Sequence, residues 1–314
     1  MHNTTRYLLI ILSFLCIFIS CKENNERSYI AAFSIQGQSD SARIDTLSRT
    51  VYYKMPADVK SGKGLVPVFS LSGKGKIYAD GEEQVSGVTQ VNFERPVEYT
   101  IVSKNKKDTA KWKIVITNND TTYKWGMGRF LSQAKSNDST RPGGWYVTQK
   151  RTGKFASTNC GPACAIMAAK WSDAAFSKNV EDARNSCTRN KYWYLENIWN
   201  YLKANHIPYT VDFRKENNRE TFFDDIKKHI DENKIVVVGL NMKYISRIFG
   251  PAKNYMQEGG HFVIVKGYWI VDDKTYLEIY DPEAWQVGNS YYKAEEVYQG
   301  VLNHGNILLI VSQK

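Results

Sequence analysis

Cys160 stands in the run Asn159-Cys160-Gly161-Pro162-Ala163-Cys164. Pro162 suits the first turn of a helix, and the alanines at 163, 165, 168 and 169 favour a tightly packed one, so the sequence predicts a helix over 161–171. Cys160 would then sit at its N-terminal edge. Unpaired backbone N–H groups and the positive end of the helix dipole stabilise a thiolate there and can bring a cysteine pKa well below about 8.5. The missing side chain of Gly161 would let a substrate backbone come close. Taken alone, such a cysteine reads better as a buried structural residue.

The stretch Gly259-Gly260-His261-Phe262-Val263-Ile264-Val265-Lys266-Gly267-Tyr268 alters that balance, because it places a histidine at the start of a strongly apolar strand. Asp272-Asp273 supplies a turn, the chain returns over 276–280, and Asp281-Pro282 ends the second strand near the level of His261. An antiparallel hairpin thus sets Asp281 beside His261, within a few residues of register. A carboxylate so placed holds the imidazole in the tautomer that takes a thiol proton. The plain alternative is that Asp281-Pro282 only terminates the strand. Cys164, one helical turn beyond Cys160, reads as core packing, and a disulfide between Cys164 and Cys187 stays open. His206, His229 and His304 read as surface or capping residues. No Cys/His spacing suggests zinc and no glycine-rich loop follows a strand in phosphate-binding style, so neither a metal nor a cofactor is expected.

Cys-Gly-Pro at a helix start, the later Gly-His-Phe-Val-Ile-Val-Lys-Gly-Tyr strand and an Asp-Pro after a hairpin together resemble the double-glycine, bacteriocin-processing peptidase family and its broader relatives. The resemblance covers 145–314 and implies a papain-like cysteine peptidase fold. It implies Cys160 as nucleophile, His261 as general base and then acid, and Asp281 as the orienting carboxylate. It further implies that Gln149, in Trp145-Tyr146-Val147-Thr148-Gln149, helps form an oxyanion hole with the backbone N–H of the nucleophile. Gly161 and Gly260 are the candidate substrate-binding residues. The P-loop and multispan membrane region of the family's transporter-coupled members are missing here, so only the broader papain-like activity is implied.

The elements that must position these residues follow an α+β order. Helices are expected over 192–205 and 220–232, then strands over 235–240, 261–270, 276–280 and 307–311. The stretch 241–260, just before His261, is a candidate substrate-contacting loop. Upstream, 29–118 consists of short runs of alternating or β-branched character broken by Gly, Asp, Asn and Ser, as in an all-β sandwich. Through Phe69-Ser70-Leu71-Ser72, Val85-Ser86-Gly87 and Asn92-Phe93-Glu94-Arg95-Pro96-Val97 it resembles the small immunoglobulin-like modules of surface lipoproteins. The polar stretch 119–144 is expected to be a loop-like linker.

At 314 residues the chain is long enough for two domains after a short leader. Its net charge of +10 is spread over 42 scattered basic residues, which describes a solvated basic surface, and no nucleic-acid motif accompanies it. The apolar run over 7–19 is shorter than the about 20 residues a spanning helix needs and suits a cleaved signal peptide, with an uncleaved membrane anchor as the alternative. Phe18-Ile19-Ser20-Cys21 resembles the lipobox of bacterial lipoproteins, which implies a leader over 1–21, a lipidated Cys21 and a tether over 22–28. Lys22-Glu23-Asn24-Asn25-Glu26 resembles an acidic surface-export tag, with an ordinary hydrophilic tether as the equal alternative. The expectation is a cell-envelope lipoprotein, anchored in the outer membrane, that performs thiol-dependent acyl transfer, chiefly peptide-bond hydrolysis, on a peptide or protein substrate. The competing reading is a non-catalytic surface lipoprotein that binds peptide or glycan through a peptidase-like fold.

Overall fold

The computed structural model describes residues 28–138, 144–187, 192–215, 217–251 and 259–314. The leader, Cys21 and tether residues 22–27 lie outside the described residues, as do 139–143 of the expected linker and 252–258 of the stretch before His261.

The first module is all β: Ile30–Ile35 (β1), Arg43–Asp45 (β2), Thr50–Lys54 (β3), Pro67–Leu71 (β4), Gly75–Ala79 (β5), Glu82–Gln84 (β6), Val97–Ser103 (β7) and Thr109–Thr117 (β8). Alternation makes these strands. In β8, Trp112, Ile114 and Ile116 turn into the core while Lys111 and Lys113 meet solvent. A six-stranded sheet in the order β2-β3-β8-β7-β5-β6 and the β1–β4 pair enclose a core that includes Phe33, Tyr53, Phe93, Tyr99 and Trp112. The result is the expected immunoglobulin-like sandwich.

The stretch expected to be a loop-like linker is partly regular structure. Asp120–Trp125 (α1) is capped by the Asn119 side chain, which accepts from the Thr122 N–H, and ends at Gly126 with φ 77°. Leu131–Ser136 (β9) pairs antiparallel with residues 267–271 of the second domain. Leu-Ser-Gln-Ala-Lys-Ser has no apolar face. Its strand forms because a neighbouring strand satisfies its backbone, a cause that hydrophobic periodicity cannot register. Between these elements Phe130 inserts into the sandwich core, the Arg129 guanidinium donates to the Phe93 carbonyl, and both residues' backbone N–H groups donate to Asp272, at 3.0 and 2.8 Å.

The second domain contains Cys160–Ser172 (α2), Val180–Asn185 (α3), Leu195–Ala204 (α4), Tyr209–Phe213 (β10), Arg219–Asp231 (α5), Ile235–Asn241 (β11), Gly260–Val271 (β12), Lys274–Tyr280 (β13), Ser290–Lys293 (β14), Ala294–Leu302 (α6) and Ile307–Val311 (β15). Its antiparallel sheet runs β10-β15-β11-β12-β13-β14, and β9 extends the β12 edge beyond β11. The buried run of β11, residues 235–240, reads Ile-Val-Val-Val-Gly-Leu because helices cover both faces. Ile235 and Val237 pack with α2 and α4, whereas Val236, Val238 and Leu240 pack with α5 and α6. The expected α+β order is observed, with α3, β10, β14 and α6 as further elements.

Candidate active site

Cys160 is the first residue of α2 and is partly exposed at its N-terminus. The segment before it is held by hydrogen bonds around the buried Asn159 side chain. The Asn159 amide donates to Thr152 Oγ1 (2.8 Å) and O (3.1 Å), and its Oδ1 accepts from Arg184 Nε (2.7 Å). A second nitrogen of Arg184 reaches the Thr158 carbonyl at 2.7 Å, and the Thr152 hydroxyl donates to the Gln149 carbonyl at 2.5 Å. Asn159 makes no side-chain cap to the helix. The backbone N–H of Gly161 is therefore left to the thiol, which also accepts from the Phe262 N–H.

His261 opens β12 opposite Leu240 of β11. Its Nε2 lies 2.9 Å from Asp281 Oδ1, with both side chains buried, and the ring also hydrogen-bonds the Cys160 thiol. With Nε2 on the carboxylate, Nδ1 is the nitrogen left for sulfur. The hairpin register is not level. Tyr280 pairs with Ile264, so unbroken pairing would bring Glu283 opposite His261. The chain instead turns after Tyr280, with Ala284 N bonded to Asp281 O and Glu283 N to Asp281 Oδ1, and this turn aims the aspartate at the ring. Tyr146 braces the turn by sharing its one hydroxyl proton between the Asp281 and Ala284 carbonyls, at 2.9 and 2.7 Å.

The electrostatics favour an ion pair. Burial raises the Cys160 thiol, but the hydrogen bond and charge of His261 and the two backbone N–H groups outweigh it and hold the thiol below its ordinary value. Burial also opposes the charging of His261, yet the Asp281 carboxylate, reinforced by Cys160, raises it to about 10. Both shifts run toward a thiolate beside an imidazolium. Cys164, sealed in the core, has its thiol pushed up by that burial, as a structural cysteine should.

Gln149 is buried beside the same turn, its backbone N–H on the Pro282 carbonyl and its Nε2 on the Ala156 carbonyl at 3.1 Å. The two glycines have packing reasons of their own. A Cβ at Gly161 would meet the Trp193 side chain at 2.7 Å, so the room beside Cys160 is taken by Trp193. A Cβ at Gly260 would meet His304 at 2.6 Å. His304, read from sequence as a surface or capping residue, packs edge-on against Phe262 at 5.6 Å, and burial lowers its pKa. His206 does sit at a helix end, with φ 56° just beyond α4. Cys160, Cys164 and Cys187 are all unbridged thiols. Sequence reasoning missed Arg184 and Tyr292, the latter donating to Asp281 Oδ2 at 2.5 Å. No motif marks either residue; each contact exists only through the tertiary fold.

A helix that presents a cysteine to a histidine at the start of an antiparallel strand, with a carboxylate behind the ring, defines a papain-like cysteine peptidase scaffold. Residues 145–303 match the Peptidase_C39-like family, and the chain belongs to that family. Residues 30–116 match a second family, described as SGBP, N-terminal. No curated protein matches the chain. Among solved structures it is similar to a Bacillus anthracis protein described as a C39-like peptidase, at 13% identity and a TM-score of 0.40, over 58% of this chain and 99% of the other. It is also similar to a Bacteroides thetaiotaomicron protein described as a glycoside hydrolase, at 13% identity and a TM-score of 0.26, over 93% and 97% of the two chains.

Proposed function

We propose that the chain is a cell-envelope lipoprotein, anchored through Cys21, that hydrolyses peptide bonds by thiol-dependent acyl transfer. The observation that carries this reading is His261, fixed between the Asp281 carboxylate at 2.9 Å and the Cys160 thiol. The Cys160 thiolate attacks the scissile carbonyl carbon and forms a tetrahedral oxyanion. The oxyanion is assigned to the Cys160 N–H and to Gln149 Nε2, whose NH2 has a second proton besides the one given to the Ala156 carbonyl. His261 gives its proton to the leaving amine as the C–N bond breaks, which leaves a thioester on Cys160. It then takes a proton from water, whose hydroxide carries the acyl group off and restores the thiolate.

The test is the pH dependence of iodoacetamide alkylation at Cys160, followed by mass spectrometry on the full chain in detergent, beside His261→Ala. Fast labelling below the ordinary thiol range that disappears in the variant supports the reading. Slow labelling with an ordinary thiol titration in both proteins overturns it.

The N-terminal match favours a second reading, since SGBP denotes a surface glycan-binding protein. On that reading the lipoprotein faces outward and holds a glycan or peptide without cleaving it, and the loss of Cys160 would leave binding intact.

A further inference from the structure

We propose that Arg151 and Trp285 form a substrate subsite beside the catalytic centre that takes an acidic side chain of the peptide. The proposal deepens the peptidase reading and rests on it.

Trp285 is 60% exposed, four residues beyond Asp281, and it follows the turn that Tyr146 braces. Arg151 lies two residues beyond Gln149 and sets its guanidinium 5.6 Å from the centre of the Trp285 ring. The two side chains therefore bridge the segment that carries the proposed oxyanion donor and the segment that carries the orienting carboxylate. The Gln149 N–H to Pro282 carbonyl bond, 2.8 Å, ties those segments together and fixes the rim to the site.

Charge sets the preference of that rim. The stretch 148–159 contains Lys150, Arg151 and Lys154 and no acidic residue. Lys150 is committed to the buried Glu283, and Asp281 to His261. Arg151 and Lys154 are exposed and have no carboxylate partner among the described residues. A guanidinium at that distance from an indole is held by its charge against the ring face and not by its N–H groups, which stay available to a carboxylate. Arg151 also has φ 57°, a left-handed conformation uncommon for a residue other than glycine. Val287, 65% exposed, extends the apolar part of the same loop. The ligand these features fit is a peptide segment with an acidic residue next to an apolar one.

The experiment uses the full chain in detergent with Cys160→Ala to block turnover, and a fluorescein-labelled peptide that repeats Gly-Glu-Phe four times. Counterparts carry Gln or Lys in place of Glu. Anisotropy should give the Glu peptide an affinity on the order of tenfold above the Gln peptide, the scale of a charge-assisted bidentate contact. Arg151→Ala should erase that difference, Arg151→Lys should restore part of it, and Trp285→Ala should weaken binding of both peptides. Lys113→Glu, a charge change on the exposed face of the sandwich, should leave the preference intact. Equal affinity for the Glu and Gln peptides, a preference that survives Arg151→Ala, or an equal loss in Lys113→Glu overturns the subsite. Cleavage by the unmodified chain separates the two claims. Selective binding without cleavage leaves the subsite standing and removes the peptidase reading, whereas equal cleavage of Glu and Gln peptides removes the subsite alone.

Discussion

Tyr292 donates its hydroxyl to Asp281 Oδ2 at 2.5 Å, while Oδ1 of the same carboxylate serves His261 and the Glu283 N–H. Both carboxylate oxygens are thereby fixed, and the imidazole inherits that orientation. Tyr292→Phe keeps the ring in its fully buried site and leaves Oδ2 without the phenol. A hydrogen bond to a charged group contributes about 1.5–3 kcal/mol, so urea unfolding should show a loss of that order. If kcat for a cleaved peptide falls with little change in KM, the phenol acts through Asp281. Unchanged stability and kcat would remove it from the site.

The two pKa shifts predict opposite fates for alkylation and turnover at high pH. Below the lowered Cys160 pKa the thiolate gains a proton, so both rates fall on the acid side, at a pH under the ordinary thiol range. Above about 10 His261 loses its proton, and the acid needed by the leaving amine disappears while the thiolate remains. Turnover should fall there and alkylation should persist. In Asp281→Ala the charge that raises His261 is gone, so the alkaline limb of kcat/KM should move to lower pH. Its activity should fall less completely than that of Cys160→Ala. An alkaline limb that stays in place would separate Asp281 from the imidazole.

Arg184 should position Cys160 without touching substrate. It holds both Thr158 O and Asn159 Oδ1 at 2.7 Å, and Asn159 in turn holds Thr152 and, through it, the Gln149 carbonyl. The network joins the proposed oxyanion donor to the residue before Cys160. Arg184→Met keeps much of the packing against Phe155 and Trp193 but releases the segment. Displacement of a reacting group by an ångström can cost about 100-fold in rate, and Arg184→Lys, which lacks the planar fork, should not restore it. A full rate with Arg184→Lys would show that charge alone suffices.

What the sequence discloses and what it hides follow the same physics. Cys160 and His261 are legible because their local settings, a helix start and the mouth of an apolar strand, are themselves sequence patterns. Asp281 is legible only through its hairpin, and the pairing of Tyr280 with Ile264 shows that a level hairpin would have offered Glu283 instead. The turn that corrects this depends on Tyr146, more than a hundred residues earlier. β9 escaped because its side chains carry no period and its partner, residues 267–271, is remote in sequence. Arg184 and Tyr292 escaped for the same reason. A side chain that acts by reaching another element leaves no spacing to read.

Lys266, inside the apolar run that makes β12 recognisable, is wholly buried and pairs with Glu278 and with Asp138, the latter at 2.5 Å. Its ammonium also lies 4.4 Å from the centre of the Tyr280 ring, next to Asp281 in the chain. Glu278 is likewise buried, so Lys266→Met removes its cation and leaves the carboxylate to the Ser136 and Tyr291 hydroxyls in a medium that solvates it poorly. Breaking a buried pair on one side costs about 3–5 kcal/mol, whereas replacing both partners with apolar residues is often neutral. Urea unfolding of Lys266→Met should therefore show a loss of that order, and Lys266→Met combined with Glu278→Leu should recover most of it. Asp138 is 30% exposed and can turn to water, so it should not cancel the recovery. If the double variant is no more stable than the single one, the cost lies in packing against Tyr280 and not in the uncompensated charge.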